Sequence, residues 1–251
     1  MSGHSKWSTI KRKKGALDAK RGKIFSKLAK EIAVAAKLGG PDPDMNPRLR
    51  TVLLAARSQN MPKDNVQRAI KKGSGDDGGA NYEEQRYECY GPAGVAIIVD
   101  ALTDNKNRTV ADVRHIINKH GGSMAESGAV TWNFESKGVI SVSKEGLDDE
   151  TIFEKAIEAG AEDVDMSGEE HYEISTDPTE LHAVAQALEK MGISAEEAKL
   201  TMLPKTQIAV DGKALRTVLN LMEALEDNDD VSEVYSNVEI SDDAMAEIMA
   251  E

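Results

Sequence analysis

The chain has 251 residues, enough for two or three modest domains with cores of their own; 40% are apolar and only 4% aromatic. Its one cysteine, Cys89, excludes an intramolecular disulfide and a cysteine-based zinc site, and fits a reducing compartment. The net charge of −13 is uneven: residues 1–75 hold 18 Lys/Arg against 5 acids, a net of +13, which leaves −26 for the rest.

That asymmetry points to a polyanion partner for the basic part, which the acidic part would repel. Lys6 to Lys23 is the densest stretch, with eight Lys/Arg and one acid, Asp18. Neutralising phosphates releases counterions, and Lys6, the run Lys11, Arg12, Lys13, Lys14, then Lys20, Arg21 and Lys23 are suited to do it. Trp7 has two readings: it stacks on an unpaired base, or it anchors the arm to the helices.

"ALDAKRGKIFSKLAKEIAVAAKLGG" predicts a helix with Leu17, Ile24, Phe25, Leu28, Ile32 and Ala35 on one stripe. Asn46 then caps a helix with Pro47 at its first position, burying Leu49, Val52, Leu53 and Ala56. "NMPKDNVQRAIKKG" gives a third helix with Val66 and Ile70 inward. The expectation for 1–75 is a basic three-helix bundle. "GSGDDGGAN" reads as a linker, since a phosphate loop would need a preceding strand and a Lys-Ser/Thr ending.

From Tyr82 the period changes. "YEEQRYECY" and "GVAIIVDAL" are strands joined by the turn "GPAG"; "NRTVADVRHIINKHGG" is a helix, and "GAVTWNF" is expected to be a third strand. "KGVISVS" through "EEAKLTML" spells β-α-β-β-α-β, a ferredoxin-like pattern. A long helix, "GKALRTVLNLMEALED", and a strand, "VSEVYSNVEI", follow. The expected fold class is therefore α+β multidomain: the basic helices, a discontinuous α+β domain of 82–136 plus 205–240, and a complete α+β domain, 137–204, inserted into it.

Lys106 and Arg108 lie at a predicted helix start, where free backbone N–H groups attract anions, and form a candidate secondary anion site. The competing reading is ordinary capping by Asn107 or Thr109. No catalytic or metal site is expected. His115 and His120 are five apart, the wrong interval for one helix face; Cys89 has no neighbouring histidine; Walker, dinucleotide and Gly-x-Ser-x-Gly motifs do not occur. Nothing asks for a cofactor or a small-molecule substrate. The longest apolar run, Gly94 to Leu102 with Asp100 inside it, is too short to span a bilayer. With no apolar leader at the N-terminus either, the expectation is a cytoplasmic protein without a membrane partner.

"GHSKW", "AKRGKIFSKLAKEI", "NPRLR", "NMPKDNVQRAIKKG", "YGPAGVAIIVDALTDNKNRTVADVRHI" and "GAVTWNF" occur in the order of the YebC family, which the whole chain resembles. The resemblance implies a basic helical domain followed by two α+β domains, the last inserted in the second. It also implies a non-enzymatic regulator that binds DNA; a ribosome-associated translation factor binding rRNA or tRNA through the same arm is the alternative. The motif residues it marks are His4, Lys6, Trp7, Lys11, Lys20, Arg21, Lys23, Arg48, Arg50, Lys63 and Arg68. One departure concerns the turn, where relatives usually read Tyr-Glu-Gly-Tyr-Gly-Pro-Gly-Gly: this chain has Cys89 and Ala93 at two of those glycines.

Overall fold

The computed structural model describes Trp7 and residues 17–75, 82–168 and 170–250. The chain divides into two compact units, one gathering 31–75 with 136–202, the other gathering Trp7 and 17–30 with 82–135 and 203–250. The division falls inside the first described helix.

In the first unit, α1 (Leu17–Gly39) brings its C-terminal half against α2 (Pro47–Ser58) and α3 (Lys63–Ser74). Its run Ile32 to Ala36 is buried, and the small side chains let another backbone come close. A Cβ placed on Gly73 of α3 would stand 2.1 Å from the Ala33 carbonyl oxygen, so α3 crosses α1 at a point that has no room for a side chain. Asn46 is the predicted cap of α2. Its side chain accepts from the Leu49 N–H at 3.0 Å and donates to the carbonyls of Ala35 and Gly40 at 2.8 Å each. The predicted stripes were only partly right: Ala33, Ala36, Leu49, Ala56 and Ala69 are buried, whereas Ile24 is exposed and Val52, Leu53, Val66 and Ile70 are half-buried. Close packing at alanines leaves the larger side chains at the rim.

The same unit holds the ferredoxin-like pattern. Strands β4 (Phe134–Ser143), β5 (Asp163–Asp165), β6 (His171–Thr176) and β7 (Glu197–Pro204) form a sheet in the order β5-β6-β4-β7. Helices α5 (Asp149–Glu158) and α6 (Leu181–Lys190) bury Ile152, Ala156, Leu181, Val184 and Leu188 in one core with Ile140, Tyr172 and Ile174. Leu54 of α2 packs on that core, and the Thr51 hydroxyl lies 2.6 Å from His182 Nε2.

In the second unit the sheet order is β3-β1-β2-β9, from β1 (Glu83–Tyr90), β2 (Ala96–Thr103), β3 (Ser123–Met124) and β9 (Val231–Ser236), antiparallel throughout. Central β2 is buried at every residue except Asp100, and Val99 pairs with Tyr87 on one side and Val234 on the other. Helices α4 (Lys106–Lys119) and α7 (Gly212–Glu226) cover the sheet with Val113, Ile117, Leu215, Val218, Met222 and Leu225. The third strand is Ser123–Met124, not "GAVTWNF": residues 125–133 form turns and a short 3₁₀ segment, Thr131–Asn133. Glu88 causes this by drawing the N–H groups of Gly128, Val130 and Thr131 onto its carboxylate at 2.6, 2.7 and 2.9 Å, where a strand would have spent them on a ladder. The final predicted strand breaks at Asn237 into β9 and β10 (Val238–Glu239). The latter pairs in parallel with β8 (Ile208–Ala209), and α8 (Asp242–Ala250) follows.

Where β4 begins and where β7 has ended, the chain is clasped. The Asn133 side chain donates to the Thr206 carbonyl at 2.9 Å and accepts from the Thr206 N–H at 3.0 Å. Asn237 donates to that same carbonyl at 3.1 Å and accepts from the Ala96 N–H at 2.8 Å.

Candidate nucleic-acid interface

Of the predicted phosphate-binding residues, His4, Lys6, Lys11, Arg12, Lys13 and Lys14 lie outside the described residues, and Lys20 and Arg21 sit in the opening turns of α1. Trp7 is only 5% exposed, in the core of the second unit, and its indole N–H donates to Glu226 Oε1 at 3.0 Å. It offers no face for a base. Of its two readings the anchoring one holds, with α7 as the anchorage in place of the helical bundle.

Lys23 is engaged in the same place. Helix α7 ends in Glu226 and runs into Asp227, Asp229 and Asp230, with no basic residue in its last turn, so its exposed carbonyls and acids form a strongly negative end. Lys23, Lys27 and Lys30, on one face of α1, supply the missing cations. Lys23 Nζ donates to the Asp227 carbonyl at 3.1 Å, Lys27 Nζ to the Glu226 carbonyl, and Lys30 Nζ to the Asp229 carbonyl at 2.9 Å and Asp230 Oδ1 at 3.0 Å. A lysine stripe that reads as phosphate-facing is spent here within the chain.

The secondary anion site is also occupied from within. Arg108 forks onto Asp230 Oδ2 at 2.6 and 3.2 Å and reaches Asp104 Oδ1 at 2.9 Å; Lys106 pairs with Glu83 at 2.5 Å. The helix is capped, but by Asn105, which accepts from the Arg108 N–H at 3.1 Å. Burial alone would raise the Asp230 pKa, yet the hydrogen bonds from Arg108, Lys30 and Thr109 outweigh it and hold the carboxyl at about 2.

The cations that remain are elsewhere. On α2 and α3, Arg57, Lys63 and Lys71 are exposed and, among the described residues, have no carboxylate partner. Arg68 bonds, among the described residues, its own helix at the Asp64 carbonyl and the Asn65 side chain. Arg48 lies 3.6 Å from Glu31, and Arg50 donates to the Asp44 carbonyl at 3.1 Å. In the second unit Arg114 and Lys119 are exposed on α4 without a carboxylate partner among the described residues. Reading α4 by helical period would have found them, because they stand away from buried Thr109, Val113 and Ile117.

The turn after β1 places Ala93 at φ 59 and Gly94 at φ 76, so an alanine takes a left-handed conformation that suits glycine. Cys89 is wholly buried, and burial pushes its thiol up to about 12. Among the described residues no helix is long and apolar enough to cross a membrane.

Helices with exposed cations, a ferredoxin-like sheet and a second α+β sheet completed by the C-terminal segment define an α+β multidomain protein. Sequence models of the TACO1/YebC protein N-terminal domain match residues 5–76, and those of the TACO1/YebC second and third domain match 82–238. The chain belongs to this family. A protein of Desulforapulum autotrophicum named a probable transcriptional regulatory protein is 57% identical over 97% of this chain and 98% of its own length. One of Geobacter sp. strain M21, named likewise, is 56% identical over 99% of this chain and 100% of its own. The crystal structure of a conserved hypothetical protein from Aquifex aeolicus superposes with a TM-score of 0.83 at 49% identity, over 90% of this chain and 93% of that one.

Proposed function

We propose that this protein is a non-enzymatic, DNA-binding regulator of gene expression that acts in the cytoplasm and contacts phosphates through the cations of its first 75 residues. The observation that supports this most directly is the set Arg57, Lys63 and Lys71 on α2 and α3, which has no carboxylate partner among the described residues and lies within a segment of net charge +13. Cations held against carboxylates, as Lys23, Lys30 and Arg108 are, would have to break those pairs to bind; these three would not. The names of the relatives agree with a regulatory role.

The test is the salt dependence of duplex DNA binding. Each phosphate contact contributes about 0.9 to the slope of log K against log salt. Replacing Arg57, Lys63 and Lys71 together by alanine should lower the slope by about 2 to 3. An unchanged slope would show that these helices do not face the nucleic acid.

A further inference from the structure

Trp132 is 69% exposed, and the chain works to keep it so. Its indole N–H donates to the Ala129 carbonyl at 2.9 Å, and the hydroxyl of Tyr90, itself 40% exposed, donates to that same oxygen at 3.1 Å. The loop that presents this oxygen is fixed by the three N–H bonds to buried Glu88, and the residue after Trp132 is locked in the Asn133–Thr206 clasp. A tryptophan wanted only for packing would be buried; here a rigid loop displays one with its polar edge already satisfied. What it offers a partner is a flat π face, preorganised so that little entropy is lost on contact.

We propose that Trp132, with Tyr90 beside it, is a stacking platform for an unpaired nucleobase. The proposal rests on the nucleic-acid reading above and narrows its partner to one with a single-stranded stretch, because bases inside a duplex have no free face. Stacking needs only the ring. A proline-rich peptide would also call on the indole N–H as a donor, and Ala129 already holds it. Glu126 and Glu135 flank the loop in sequence. A cationic peptide is the competing occupant that those acids would allow.

The experiment measures binding of the full chain to oligo(U), oligo(dT) and a duplex of equal length, for the parent, Trp132→Ala and Trp132→Phe. Trp132→Ala should weaken binding to one or both single strands about tenfold and leave the duplex unchanged, with Trp132→Phe recovering most of the loss. The strand more affected identifies the sugar. Trp132 emission, read as the parent minus Trp132→Phe, should be quenched by the single strand. Equal losses on single strand and duplex, no loss on either, or a lysine-rich or proline-rich peptide that binds through Trp132 while the single strands do not, would overturn the platform. A parent chain that binds no nucleic acid at all would overturn the functional reading with it; a parent that binds with its full salt slope while Trp132→Ala changes nothing would overturn the platform alone.

Discussion

Trp7 and Glu226 meet through a 3.0 Å hydrogen bond although 219 residues separate them in sequence. The indole ring beneath that bond belongs to the core that holds Val218, Met222 and Leu225, so Trp7 is a fixed point of the basic arm on α7. Trp7→Ala should cost about 3–5 kcal/mol, the usual loss for a buried tryptophan. Its affinities for RNA and DNA should fall together or not at all. Urea denaturation alongside both binding titrations checks this; a selective loss of RNA binding with unchanged stability would mean the ring is presented to a base after all.

Glu88 makes a pH-dependent contribution. Burial on its own would raise its pKa, but the Gly128, Val130 and Thr131 N–H groups, with the Thr131 hydroxyl, hold it down at about 2. A carboxyl depressed in the folded state adds stability that is complete above its unfolded pKa of about 4 and disappears as pH falls through 2. The expected loss across that window is about 3 kcal/mol. Glu88→Gln should lower stability at pH 7 and flatten the acid limb between pH 4 and 2, read from denaturation midpoints at several pH values.

Ala93 stands at φ 59, in the left-handed region that favours glycine. Ala93→Gly relieves the left-handed strain of about 1 kcal/mol but loosens the unfolded chain, so a net gain of roughly 0.5 kcal/mol is expected. Thermal unfolding measures it, and a fall in midpoint would refute the strain.

Gly73→Ala tests the helix crossing. With a Cβ 2.1 Å from the Ala33 carbonyl oxygen, and no flexible side chain to move aside, α3 has to retreat from α1. A loss of about 1–3 kcal/mol is expected. Circular dichroism on urea titration reads it directly; a neutral substitution would place the two helices farther apart than described.

Lys23→Ala and Lys63→Ala should separate two uses of the same residue type. The first weakens the grip on the end of α7, by at most about 1 kcal/mol for so exposed a pair, and leaves the salt slope alone. The second leaves stability alone and lowers the slope by about 0.9.

The element order was legible because periodicity and breakers agree along most of the chain. Asn46-Pro47 announced a helix start, and the β-α-β-β-α-β run announced its own sheet. "GAVTWNF" was misread because its β-branched and aromatic residues favour a strand, whereas the deciding partner, Glu88, lies 40 residues and more away in sequence. The candidate site was legible as a charge total but not residue by residue. Composition counts Lys23 and Lys63 alike, and only the fold reveals that the first is neutralised by the end of α7. Trp7 kept two readings for a related reason: a tryptophan among lysines looks like a reader of bases, and only the fold puts its ring in a core.

The pairing of Val99 with Val234 sets an order in time. Strand β2 is made early and its neighbour β9 almost last, with about half the chain between them. Closing so long a loop is entropically costly and kinetically slow, unless the 136–202 segment collapses first and draws the ends together at Asn133 and Thr206. While the polypeptide is still being synthesised, β2 has one open edge and α4 covers half a core. A chain that stops short of Val231 therefore leaves its most apolar strand unpaired, and premature termination near the C-terminus should yield an aggregating product in place of a shortened working one.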